Sequence, residues 1–250
     1  MTNGLIAKGN RIMPKFTILN YNNAKTIKGE LFDHATFLFY GAPDKISGYN
    51  ACANSGLCAK TCIYYQGMGR FETVQNARIR KTKLYFEDRD NFLMTVNKDI
   101  IKAVAWSKKQ NLTPCFRLDG TTDIGIARHF VEYYKTVQFY DYTKIINRIE
   151  KVQNIPNWHL TYSLSEKTTP QQLQQILATT TNIAIPFATA PDMSSKLWGR
   201  ELVNADKHDL RFLDGENKIA VLKVKGKIKS NDFIVPDVEW LQNKYKVQHA

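Results

Sequence analysis

The sequence predicts an α/β protein: a partial (β/α) barrel of about six or seven mostly parallel strands, with a cysteine loop after the first barrel strand. Three observations predict it. From residue 36 onward, short strand-like apolar runs alternate with stretches of helical periodicity. No fixed-period repeat, low-complexity tract or long Pro/Gly/Ser linker divides the 250 residues. One strand is two-faced: His159, Thr161, Ser163 and Ser165 alternate with Leu160, Tyr162 and Leu164. A parallel strand covered on both sides reads as a continuous apolar run, so a polar face implies a wet interior or a ligand pocket, with a solvent-facing edge strand as the plain alternative.

The elements follow in order. Residues 1–30 are polar and loop-like, with a short strand at Lys15 to Leu19, and read as an N-terminal extension packed on the core; residues 31–250 read as a single domain. Thr36 to Tyr40 is the first barrel strand. After the cysteines comes a long helical region in which Phe92, Val96, Ile100, Ala103 and Val104 share one face, broken at Asn111 to Pro114. Cys115 to Asp119 is the next strand. A helix is expected around Ile124 to Tyr134, then strands at Val137 to Tyr142 and Trp158 to Leu164. A helix at Pro170 to Ala178 precedes strands at Asn182 to Phe187, Leu210 to Leu213 and Ile219 to Val224.

Composition limits the partners. With 43% hydrophobic and 12% aromatic residues, the chain can bury a core without disulfides. The N-terminus has no apolar signal region and nothing approaches the roughly 18 apolar residues of a span, which predicts a cytoplasmic protein, no membrane partner and reduced cysteines. A formal charge of +12 favours polyanions, so an anionic small molecule or nucleic acid is the expected partner. Arg78, Arg80, Lys81 and Lys83 cluster after the cysteines, and Lys223, Lys225, Lys227 and Lys229 alternate near the C-terminus; solvated faces account equally for such runs. Composition leaves the oligomeric state open.

Cys52, Cys58 and Cys62 fall within eleven residues on a loop containing glycine and asparagine. Three thiolates there can converge on one centre and leave a position open, as in a catalytic zinc site or an iron–sulfur cluster. Their C-x5-C-x3-C spacing matches neither zinc knuckles nor a ferredoxin run, and cysteines packing a loop are the bland alternative. Arg117 to Asp123 places an arginine and two carboxylates around Gly120 at a strand end. Asp119 and Asp123 suit proton transfer or ribose contacts, and equally a salt-bridged turn with a helix cap. Phe139 to Lys144 sets aromatics beside Asp141 and a lysine, a base-stacking arrangement or plain strand residues. His159, on the polar face, is a catalytic or a core histidine. Arg117, Ser163, Glu166, Arg211, Lys223 and Lys225 are the charged and polar groups expected to bind cofactor or substrate along an inner polar surface.

In order, GYNACANSGLCAKTCIYYQGMGRF, RLDGTTDI, FYDYTKI, HLTYSLSE, DLRFLD and LKVKG resemble phage and prophage proteins of the gene product 88 type from about Lys15 to Phe233. More distantly, the chain resembles radical S-adenosylmethionine enzymes, in which a three-cysteine loop after the first strand of a partial barrel holds a [4Fe–4S] cluster. That likeness implies Cys52, Cys58 and Cys62 as cluster ligands and S-adenosylmethionine on the open iron. The spacing here differs from that family's C-x3-C-x2-C, and no glycine-rich methionine-binding motif is evident. Three functions are therefore expected in turn. The first is an iron–sulfur, radical S-adenosylmethionine-like enzyme acting on a nucleotide, nucleic acid or other anionic substrate, in the host cytoplasm if phage-encoded. The second is a nucleic-acid transglycosylase or hydrolase using Asp119, Asp123 or Asp141, with structural zinc. The third is a basic, non-enzymatic nucleic-acid-binding protein of phage replication.

Overall fold

The computed structural model describes residues 13–21, 24–224 and 233–246. Strands β1 (His34–Leu38), β2 (Thr113–Arg117), β3 (Gln138–Thr143), β4 (Trp158–Ser163), β5 (Ile183–Phe187), β6 (Lys196–Leu197), β7 (Arg200–Asn204) and β8 (Lys218–Lys223) build one sheet. Their order is β1-β2-β3-β4-β5-β8-β7-β6, parallel throughout except for the β6–β7 hairpin. The sheet is open, and the protein is mixed α/β as expected.

Helices α2 (Glu72–Glu87), α3 (Arg89–Lys109), α4 (Ile146–Val152) and α5 (Pro170–Leu177) pack on one face, with α1 (Ala24–Glu30) and α6 (Val238–Tyr245) flanking. The longest, α3, starts where the Asp88 carboxylate accepts from the Asn91 amide, and stops before Asn111, whose φ of 55° is left-handed. Its buried Phe92, Val96, Ile100, Ala103 and Trp106 recur at helical spacing against the sheet. α5 has a reciprocal capping box between Thr169 and Gln172, with a proline in its first turn.

Strand alternation gives the sheet two unlike faces. Under the helices, the rings of Phe37, Phe116 and Phe139 stack across three strands at 5.4 and 5.6 Å, continued by Leu160, Ile183 and Ile219. Burying each such side chain contributes about 1.5–3 kcal/mol. The opposite face carries Thr36, Cys115, Arg117, Tyr140, Tyr142, His159 and Thr161, then Ala184 and Ala220. Among the described residues, α1 reaches only the β1 edge of this face, where its Gly29 packs against Thr36 and Leu210. Residues 205–214 cross the face, with Leu210 packed on Cys115 and Tyr140, and Ala205 on Ala184 and Ala220.

Three expected elements differ. Lys15 to Leu19 is not a strand, because the amides of Thr17, Ile18 and Leu19 all donate to the buried Asp99 carboxylate of α3; a single bridge joins Asn20 to Leu38. This still packs the described part of the extension on the core, while residues 1–12 and 22–23 lie outside the described residues. The Ile124 to Tyr134 helix shrinks to a 3-10 turn, Ile126–His129, because Asp119 captures the amides of Ile124, Gly125 and Ile126. Leu210 to Leu213 is likewise a 3-10 turn, Arg211–Leu213, closed by the Arg211–Asp214 ion pair instead of by a neighbouring strand.

Candidate functional site

The chain leaving β1 runs along the carboxyl ends of the next three strands, the edge where open parallel sheets bind ligands. Each strand end holds it. At β2, the Asp123 amide donates to the Ala51 carbonyl at 2.8 Å. At β3, Asn54 Nδ2 donates to the Lys144 carbonyl at 2.8 Å. At β4, the Leu57 amide donates to Glu166 Oε1 at 2.7 Å, and Lys167 Nζ reaches the Ser55 carbonyl. A Cβ at Gly56 would stand 1.8 Å from Glu166 Oε1, so a larger residue here would push the Glu166 carboxylate off the Leu57 amide.

The three predicted cysteines ride on this loop as half-buried free thiols. Cys62 caps a 3-10 turn, its Sγ accepting from the Tyr64 amide at 3.4 Å. The Cys52 thiol reaches the Thr121 carbonyl at 3.9 Å. Burial pushes Cys52 up to about 12, helped by Asp123, Cys62 and Asp119 nearby. Burial also raises Cys62, as does Cys58, while Lys144 and Arg78 pull it down. The thiols thus feel one another electrostatically, with two cations beside the central one. A metal binding here must displace their protons. Among the described residues, no group of three or more His, Cys, Asp or Glu side chains is arranged to hold a metal ion as it stands; as donors, three thiols suit thiophilic iron or zinc.

The other predicted residues divide into three groups. Asp119 and Asp123 shape the loop: Asp119 Oδ1 accepts from Thr122 Oγ1 and the Ile124 amide, Oδ2 from the amides of Gly125 and Ile126. Asp123 accepts from the Lys144 amide at 2.9 Å and pairs with Arg148. Asp141 lies beneath them on the helix side; its Oδ1 accepts from the Asp119 amide at 2.8 Å, and its Oδ2 is buried without a partner. Burial, then the neighbouring Asp119, holds the Asp141 carboxyl well above the usual range.

Arg117, His159 and Arg211 lie where residues 205–214 cross the sheet. Arg117 pairs with Asp209 at 2.8 Å and lies 4.6 Å from the Tyr142 ring centroid. Arg211, fully buried, pairs with Asp214 at 3.0 Å, although Arg211 Nε and Nη1 make no well-aligned hydrogen bond. Burial and Arg211 push His159 down to about 4, so its ring is neutral.

Ser163 and Glu166 belong to the cysteine edge. Lys144 Nζ donates to Ser163 Oγ at 3.0 Å, and Glu166 Oε2 is buried without a partner. Lys223 stands apart: it is exposed and has the strand parity of Ile219 and Val221. Lys225 lies outside the described residues. Arg78, read in the sequence as part of a basic cluster, and Lys144, read beside Asp141, both act on Cys62. Arg78 sits 5.0 and 5.2 Å from the ring centroids of Tyr40 and Tyr64, and its signal was hidden in a basic helical run.

Fold and site together define an open, mostly parallel α/β protein with a three-cysteine loop pinned across its carboxyl edge. The chain matches the family model of gene product 88 over residues 16–236. It therefore belongs to the gene product 88 family, the phage type that its ordered motifs resemble. No curated protein and no solved structure matched it. Among the described residues, no helix is long and apolar enough to cross a membrane.

Proposed function

We propose that the protein is an iron–sulfur enzyme of radical S-adenosylmethionine-like type, acting on a nucleotide, nucleic acid or other anionic substrate in the host cytoplasm. The observation that carries this reading is the set of three free thiols on one loop, fixed over the ends of β2, β3 and β4, with Arg78 and Lys144 acting on Cys62. In this reading the face crossed by residues 205–214 is the inside of a partial (β/α) barrel and the cysteine loop lies at its mouth.

Cys52, Cys58 and Cys62 would hold the cluster. When bound, a [4Fe–4S] cluster supplies one-electron transfer and, at the iron without a cysteine, a place for the amino and carboxyl groups of S-adenosylmethionine. The chain's own groups do the rest. Arg78 and Lys144 offset thiolate charge and favour loss of the thiol protons. Glu166 fixes the loop through the Leu57 amide. Lys144, steadied by Ser163, presents an ammonium group to phosphate or carboxylate at the same edge.

Metal analysis and a visible absorption spectrum of protein purified without oxygen test the proposal. Iron and sulfide in cluster ratio, with broad visible absorption lost in a Cys52→Ala/Cys58→Ala/Cys62→Ala variant, are expected. Zinc in their place, or iron retained by the triple variant, would overturn it.

A further inference from the structure

Directly after the cysteines, residues 63–71 fold as two consecutive 3-10 turns, Ile63–Tyr65 and Gly67–Arg70. Their inward groups are tightly held. Tyr64 is fully buried, Arg78 Nη1 donates to its carbonyl at 3.1 Å, and Gln75 Nε2 donates to the Gly69 carbonyl at 2.8 Å. A Cβ at Gly69 would stand 1.8 Å from the Tyr64 carbonyl oxygen, so the turn is fixed by close backbone packing. The outward groups are large and apolar: Ile63, Tyr65, Met68 and Phe71 are 44, 45, 68 and 45% exposed. Four such residues in nine, on backbone held from behind, make a surface patch that folding alone does not explain.

The charge around the patch selects its partner. Between Lys45 and Phe86 the chain carries seven lysines and arginines against one carboxylate, Glu72. That sixth of the sequence holds half of the formal net charge of +12. Lys45, Lys60, Arg70, Arg80 and Lys83 are exposed, and the Arg70 guanidinium lies 5.2 Å from the Phe71 ring centroid. Exposed aromatic faces interleaved with cations and almost no carboxylates form the chemistry that grips a polyanion with flat, stackable groups.

We infer that residues 60–71 are a docking platform for single-stranded nucleic acid, with bases stacked on Tyr65 and Phe71 and the phosphate backbone tracked by Lys60, Arg70 and the exposed face of α2. Duplex bases keep their faces stacked inside the helix and cannot use these rings. The fixed backbone lowers the ordering cost of binding. The inference deepens the proposed function, since it names the substrate class for the adjacent thiol site and rests on that reading for its catalytic meaning; the binding itself does not require a cluster.

Fluorescence anisotropy with labelled 20-nucleotide single strands of DNA and of RNA, against the matching duplex, tests it on the full chain. Single strands are expected to bind more tightly than duplex, the DNA and RNA arms showing which is preferred. Tyr65→Ala and Phe71→Leu are each expected to weaken binding about tenfold, with unchanged far-UV circular dichroism. Arg70→Gln should lower the slope of log affinity against log salt by about 0.7. Because Tyr65 is exposed, ultraviolet cross-linking of the wild-type protein mapped to Tyr65 or Phe71 gives a readout independent of variant folding. No single-strand binding at low salt would overturn the inference, as would duplex and single strand binding equally with both aromatic variants unaffected. The Cys52→Ala/Cys58→Ala/Cys62→Ala variant separates the two proposals. Retained binding without iron supports the platform whatever the fate of the cluster reading, whereas iron in the wild type with no binding sinks the platform alone.

Discussion

The face of the sheet beneath the helices and the face beneath residues 205–214 bury the same strands by opposite means. On the first, Phe37, Phe116, Phe139 and the apolar stripe of α3 interlock, and contact between shapes supplies the stability. On the second, Arg117–Asp209 ties an irregular crossing segment, closed on itself by Arg211–Asp214, over tyrosines, threonine and alanines. Ion pairs so deeply placed contribute little net stability over an apolar replacement, but removing one partner is costly. The first face therefore holds the fold together, and the second trades packing for polar groups in a buried place.

Four substitutions, in three tests, sharpen that contrast. Phe116→Ala, in the middle of the stacked rings, should destabilise by about 3–5 kcal/mol in denaturant unfolding, with no change in the shape of the pH profile. Arg211→Met should cost about 3 kcal/mol by leaving Asp214 buried without its cation, and Arg211→Met/Asp214→Leu should recover most of that loss. Failure of the double variant to recover would mean that the pair holds the crossing segment by geometry that apolar groups cannot replace. The smallest effect is on pH dependence. His159 titrates near 6.5 when unfolded but at about 4 when folded. Between those values the unfolded chain binds more protons. The stability contribution of His159 is thus complete above pH 6.5 and is lost as pH falls through about 4. Thermal unfolding of His159→Gln should accordingly show a shallower decline over that window than the wild type. An unchanged slope would place the titration elsewhere on this face, where His208 is also pushed down to about 4 by burial and Arg211.

The same contrast explains what was legible in the sequence. Strands with β-branched and aromatic alternation, the α3 stripe and the capped α5 all stood out, because their cues are local. The expectation of a shared polar surface rested on strand parity, which places Arg117, His159 and Thr161 on one side. What escaped reading was governed by distant groups. Asp99 takes the amides of Thr17, Ile18 and Leu19 from some eighty residues away, cancelling a strand. Asp119 takes three amides from the segment that would have been helical. The β6–β7 hairpin turns through Trp198 and Gly199, at φ 51° and 75°. That left-handed pair usually reads Asn-Gly, so tryptophan masked the signal. At the candidate site, the cysteines were visible as a cluster. Arg78 and Lys144 became part of it only once the loop was seen to pass over the strand ends.

The anchors of the cysteine loop carry a consequence for the newborn chain. Asn54, Leu57 and Ser55 find their partners 90, 109 and 112 residues later in the sequence. At roughly 5–20 residues per second of synthesis, the loop waits about 5–20 seconds for Glu166 and Lys167 to be made. Until then its three sulfurs ride on a stretch of polypeptide that lacks its β4 anchors and is more open to oxidants than in the finished fold. For the proposed cluster, loading would then be a question of timing as well as affinity, with the closure of the loop by β4 ending the interval in which the sulfurs are most open.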